Sequence, residues 1–132
     1  FYSHPNTLTQ LAIHLSSSII VKTLIKLQNL HYQYPKAETN ALSDINLSID
    51  SGDYLAILGT SGSGKSTLLS ILGLINRPTK GEYFLLGTAT SALTKNSVAL
   101  LKNREIGFIF QNFNLLNHLD VFNNVALPLS YN

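Results

Sequence analysis

Residues 59–67 read Gly-Thr-Ser-Gly-Ser-Gly-Lys-Ser-Thr. Gly59 and Gly64 bracket four residues and are followed at once by Lys65 and Ser66. An apolar run, residues 54–58, precedes the segment, and another, residues 68–74, follows it. A glycine-rich loop between a strand and a helix holds a dense anion. The backbone N–H groups at the helix start all point at the anion, and the helix dipole adds to the attraction. Glycine lets the main chain wrap closely and adopt positive φ. Lys65 supplies a point charge for the outer phosphates of a nucleotide. The Ser66 hydroxyl is a hard oxygen ligand of the kind Mg²⁺ prefers. Gly59, Ser61, Gly62, Ser63, Gly64, Lys65, Ser66 and Thr67 are therefore the predicted phosphate cradle. A flexible Gly/Ser linker is the competing reading. A linker does not usually separate two strongly apolar elements, and the spacing arises by chance in well under ~1% of chains this long.

The loop needs elements to carry it. Residues 24–34 alternate patchily and include Tyr32 and Tyr34, which predicts a strand, and the polar residues 35–40 predict a turn. Ile45, Leu47 and Ile49 stand two apart with polar residues between them, as in a half-buried strand over 42–49. A tight turn is expected at 50–53, then a continuous apolar strand over 54–58, covered on both faces. Residues 67–75 are apolar nearly all round and predict a buried helix, stopped by Pro78. A short strand at 81–86 and a helix at 94–103 capped by Thr94 follow. A second buried strand is expected at 106–110, then a mixed loop, then a short helix capped by Asp120 before Pro128. This order predicts an α/β fold with an antiparallel portion at its start.

The chain has 132 residues, enough for one domain or part of a larger one. Apolar residues make up 45%, so a core is affordable, but charged residues are only 12%, about half the usual share. So lean a surface implies that part of it is covered by a partner or by further chain. The net charge of +2, from scattered Lys and Arg, argues against a nucleic-acid partner. With no cysteine, disulfides and thiolate metal sites are excluded. The chain opens on Phe1 and contains no Met, which reads as a piece of a longer protein. Residues 1–23 form an extension without an assigned role. Their apolar stretch, 11–21, falls short of the roughly 20 residues a membrane span needs, and His14 and serines interrupt it.

Beyond the loop, Ala41-Leu-Ser-Asp-Ile-Asn-Leu-Ser-Ile49, Ser51-Gly-Asp-Tyr-Leu-Ala-Ile-Leu-Gly59, residues 68–78 and Gly81-Glu82 resemble the ATP-binding domain of ABC transporters. Ile106-Gly-Phe-Ile-Phe-Gln111 is similar to the segment that ends in that family's Q-loop, and Asn124-Val-Ala-Leu-Pro-Leu129 follows as it does there. The likeness runs from about residue 24 to 132. It is greatest to the branch of lipoprotein-release, macrolide-export and cell-division ATPases. A GTPase fits less well: Asn117-His-Leu-Asp120 has histidine where guanine readers carry lysine, and no Asp-x-x-Gly follows the loop. A small-molecule kinase or a nucleotide-binding regulatory module without turnover are the other readings.

The resemblance implies a partial P-loop NTPase core, an N-terminal antiparallel β-layer and the start of a helical subdomain. It implies ATP and Mg²⁺ as ligands. Tyr34 stands where the family places an aromatic that stacks on adenine, with Tyr32, on the same face of an unbroken strand, as its rival. Gln111 would touch Mg²⁺ and the attacking water and link the site to the membrane partner. Thr67 would donate to the α-phosphate, cap the helix, or do both. The partners implied are transmembrane permease subunits and a second ATP-binding domain, at the cytoplasmic face of the inner membrane. The sequence departs from the family's pattern in one large respect. Within residues 1–132 there is no Leu-Ser-Gly-Gly signature and no apolar run ending in Asp-Glu, and His31 and His118 do not lie in the context of the family's switch histidine. Smaller departures are Asp53 and Asn123, where Glu is usual. The expectation is an incomplete site, inactive on its own.

Overall fold

The two longest strands are joined by a turn that their own sequence dictates. The computed structural model describes residues 22–110, 114–127 and 129. Strand β1 (Thr23–Tyr32) and β2 (Leu42–Asp50) are antiparallel, with Lys26 opposite Ser48 and Leu27 opposite Leu47. Strand β3 (Lys80–Leu85) pairs with the other edge of β1, and the two-residue β4 (Thr88–Ala89) pairs with β3, giving the order β2-β1-β3-β4. This is the expected antiparallel layer.

The alternation of β1 looks patchy in the sequence because the strand bulges. Its register against β2 shifts between Leu27 and Leu30, so buried side chains fall three apart there instead of two. Asn29 (φ 45°) and Asp44 (φ 52°) take left-handed conformations at this irregularity, which short polar residues tolerate best. Asn29 N donates to Asn46 Oδ1 at 2.9 Å, and Asn29 Nδ2 donates to Asp44 Oδ1 at 2.9 Å. The amides of Asn29 and then Asn46 hold the Asp44 carboxyl below the usual carboxylate range, with His31 adding to the effect.

The core consists of Leu27, Leu30, Tyr32, Leu42, Tyr83 and Leu85 from the sheet and Ile71 from helix α1 (Lys65–Leu72). Tyr83 is almost wholly buried, and its hydroxyl donates to Leu72 O at 2.8 Å. One of the carbonyls that a helix end leaves unsatisfied is thereby paired. Burial pushes the Tyr83 phenol up to about 12. Helix α1 starts two residues earlier than its apolar pattern suggests. It is also less buried than expected: Thr67 and Ile71 are its buried residues, while Leu69 and the following Ile75 are about half exposed.

After β4, a 3-10 turn (Thr90–Ala92) leads to helix α2 (Lys95–Glu105), and helix α3 (Val121–Ala126) comes last. Both caps are where side-chain chemistry predicts them. Thr94 Oγ1 accepts from Ser97 N at 3.2 Å, and Asp120 Oδ1 accepts from Asn123 N at 2.7 Å. The turn at 50–53 also forms, with Asp53 N donating to Asp50 O at 3.2 Å.

Two expected strands are absent. Residues 54–58 and 106–110 join no sheet among the described residues. Tyr54, Leu58 and Ile109 are 99%, 89% and 100% exposed. The physical reason is that a strand of a doubly covered parallel sheet takes its hydrogen bonds from neighbours far away in sequence. Apolar composition reports a segment's tendency to join such a sheet and says nothing of its partner. The fold is mixed α/β, with its regular sheet in the antiparallel layer. Residues 1–21 of the extension lie outside the described residues.

Candidate nucleotide-binding site

The loop at 59–64 feeds helix α1 through Gly64, which takes φ 89° and ψ 4°. A Cβ on Gly64 would lie 2.7 Å from Ala41 O and 2.9 Å from Leu42 Cδ2. The loop is thus pressed onto the start of β2 at a point where only glycine fits. Gly64 O accepts from Leu68 N at 2.8 Å, closing the first helical turn. No side chain caps this helix start, and no acidic residue sits in its first turn. The partial positive charge of the α1 N-terminus is left facing outward, the arrangement that attracts an anion.

Lys65 lies inside the loop. Its Nζ donates to Gly59 O at 3.0 Å, to Thr60 O at 2.6 Å and to Ser63 Oγ at 3.4 Å. The ammonium therefore gathers the carbonyls of the loop while its charge stays beside the helix start. A cavity of about 350 Å³ opens here, lined by Tyr34, Ala41, Ser61, Gly62, Gly64, Lys65, Ser66 and Thr67. The structure brings the predicted cradle residues Ser61, Gly62, Gly64, Lys65, Ser66 and Thr67 to one place, beside Tyr34. Gly59 and Ser63 contribute through Lys65 instead of lining the cavity. Gln111 lies outside the described residues.

Tyr34 reaches the cavity because β1 ends at Tyr32. Pro35 then begins a turn in which Ala37 N donates to Tyr34 O at 3.1 Å, with Lys36 at φ 67°, the backbone of a type II turn. The two tyrosines consequently do not share a face as an unbroken strand would require. Tyr32 is 8% exposed and belongs to the core, whereas Tyr34 is 45% exposed and walls the cavity. Their rings meet edge to face, 4.9 Å between centroids. The Tyr34 hydroxyl lies 3.0 Å from Thr67 Oγ1. Two site features escaped the sequence. Ala41 lines the cavity, and its small apolar side chain gives no signal of a site. The Tyr34–Thr67 pair joins residues 33 apart.

The donor set fits a nucleotide and its metal. A cation, a helix start and a glycine that a Cβ would jam converge on one cavity wide enough for phosphates. Among the described residues no cluster of three His, Cys, Asp or Glu could cage a metal. Mg²⁺ does not need one: it keeps several waters and takes its other oxygens from phosphates and one or two protein groups, and the exposed Ser66 hydroxyl is of a type that could serve as one of them.

Comparison with known proteins agrees with this geometry. Residues 42–131 match the family model described as ABC transporter. The macrolide export ATP-binding/permease protein MacB of Syntrophobacter fumaroxidans is 47% identical over 110 residues, covering 82% of this chain and 15% of that protein. MacB of Bdellovibrio bacteriovorus is 47% identical over 100 residues, covering 76% of this chain and 15% of its own length. Among solved structures, the dimeric, post-hydrolysis ATP-binding cassette MJ0796 bound to ADP and Pi superposes with a TM-score of 0.76 at 39% identity, covering 82% of this chain and 47% of the cassette. The chain thus spans about half of a cassette and about a sixth of the MacB proteins. The cradle and strands β2, β3 and β4 fall within the family match, and the chain belongs to the ABC transporter family, within its ATP-binding domain.

Proposed function

We propose that this chain binds Mg·ATP at the cavity between Tyr34 and the start of α1, and that in the whole protein the site hydrolyses ATP to drive a permease. The observation that carries the reading is the meeting of Lys65, the uncapped α1 N-terminus and Tyr34 around one cavity. Lys65 offsets charge on the β- and γ-phosphates. The N–H groups of residues 64–67 hold phosphate oxygens, with Thr67 serving the α-phosphate. The Tyr34 ring stacks on adenine. Ser66 offers its hydroxyl to the metal, and Gln111 orients the attacking water. Mg²⁺, when bound, neutralises charge on the phosphate oxygens as the γ-phosphoryl group moves to water. The protein's part is positioning and electrostatic stabilisation.

The relatives named as ATP-binding/permease proteins support a membrane permease as partner, and the dimeric cassette supports a second ATP-binding domain. No helix among the described residues is long and apolar enough to cross a membrane, which suits a domain lying at the cytoplasmic face of the inner membrane.

The base assignment has a direct test. Tyr34→Ala weakens ATP and ADP alike by roughly 1–3 kcal/mol, because stacking ignores the γ-phosphate. Tyr32→Ala instead lowers stability by about 3–5 kcal/mol, as loss of a core aromatic does. Titration calorimetry and thermal unfolding separate the two effects. A Tyr32→Ala protein with normal stability and weakened binding would reverse the assignment.

Residues 1–132 alone bind nucleotide without sustained turnover. They hold the cradle, Ser66 and Gln111, while the second acidic metal ligand, the general base and the signature loop implied by the family resemblance are not among them. Groups that act as a unit fail together when one is lost. Phosphate release from Mg·ATP should equal that of a Lys65→Ala blank, and steady release above the blank would refute the claim.

A further inference from the structure

We infer that Tyr34 and Thr67 form a hydroxyl relay, in which Tyr34 positions the Thr67 hydroxyl to donate to a phosphate oxygen. The inference rests on the nucleotide reading and gives the aromatic residue a second task that stacking does not include.

The geometry is specific. Tyr34 Oη and Thr67 Oγ1 are 3.0 Å apart, and both residues line the same cavity. Thr67 is 7% exposed in the first turn of α1, so its hydroxyl has few directions open to it. Tyr32 holds the other end of the arrangement, its ring edge to face with that of Tyr34 at 87°. The Tyr34 ring is therefore located twice, by a ring contact and by its hydroxyl.

Proton counting sets the direction. Each hydroxyl has one proton to give and two lone pairs to receive. Thr67 can give its proton to Tyr34 or to a phosphate, but not to both. When Tyr34 donates to Thr67, the Thr67 proton is released to point into the cavity, and donation into its lone pair strengthens it as a donor. Tyr34 thus acts on the phosphate without touching it, as a positioning residue. Phenylalanine at 34 would stack as tyrosine does and would lose the relay.

Inorganic tripolyphosphate with Mg²⁺ isolates this task, since it has no base to stack. Using the full-length protein, calorimetric titration of Tyr34→Phe should show roughly five-fold weaker binding of both Mg·ATP and Mg·tripolyphosphate, the worth of one hydrogen bond. Thr67→Val should weaken both by at least as much, and the double variant should be no worse than Thr67→Val alone. Thr67→Ser, which restores the hydroxyl, should restore sensitivity to Tyr34→Phe. Unchanged tripolyphosphate affinity in Tyr34→Phe, or losses that multiply in the double variant, would overturn the relay. A Lys65→Ala control separates this from failure of the nucleotide reading. If Lys65→Ala destroys binding while Tyr34→Phe is silent, the relay alone falls. If Lys65→Ala binds as well as the parent, the nucleotide reading falls and the relay with it.

Discussion

Lys65→Ala should weaken ATP binding by on the order of 100-fold or more. Two losses combine. The outer phosphates lose their nearest cation, and a hydrogen bond to a charged group is worth about 1.5–3 kcal/mol. The loop also loses the ammonium that draws Gly59 O, Thr60 O and Ser63 Oγ together. That second loss falls on any ligand that reads the loop's backbone, so ADP binding should suffer as well. Lys65→Arg keeps the charge but cannot place a planar fork among three converging acceptors, and it should rescue little. Titration calorimetry on the full-length protein reads all of this, and near-normal affinity in Lys65→Ala would remove the basis of the proposed function.

Gly64→Ala should damage the fold and the nucleotide site together. Its Cβ would stand 2.7 Å from the Ala41 carbonyl oxygen, a backbone atom, and 2.9 Å from Cδ2 of the buried Leu42. At φ 89° an L-residue is strained as well. Backbone strain of about 1–3 kcal/mol and a similar overpacking cost sum to roughly 3 kcal/mol or more. At this chain length that lowers the melting temperature by about 10 °C. Nucleotide binding should fail with it, since relief requires the loop and β2 to part. A melting point within about 2 °C of the parent protein, with binding retained, would show that the loop is not seated on β2 as described.

Local chemistry was the legible part. A threonine or aspartate that caps its own helix acts over three residues, so Thr94 and Asp120 could be read directly, as could the turn at 50–53. The loop was legible because its glycines, lysine and serine each answer one physical demand at a fixed spacing. What depends on distant chain was not. The apolar runs at 54–58 and 106–110 report hydrophobicity and β-propensity, but pairing belongs to two strands at once. Tyr32 and Tyr34 could not be told apart by spacing, because the strand that would make them equivalent stops between them. The register slip at Asn29 blurred the period of β1 for a similar reason: a bulge is a relation between strands.

The exposed runs at 54–58 and 106–110 have a consequence for handling the polypeptide. Tyr54-Leu-Ala-Ile-Leu58 and Ile106-Gly-Phe-Ile-Phe110 contain no charge and no proline, and both are rich in aromatic or branched residues. Short windows of this composition stack into cross-β assemblies when their backbone is free to pair. With a net charge of +2, repulsion between molecules is weak. Encounters between molecules should thus limit the isolated polypeptide: dilution, or a lysine or glutamate in place of the fully exposed Ile109, should extend its lifetime in solution.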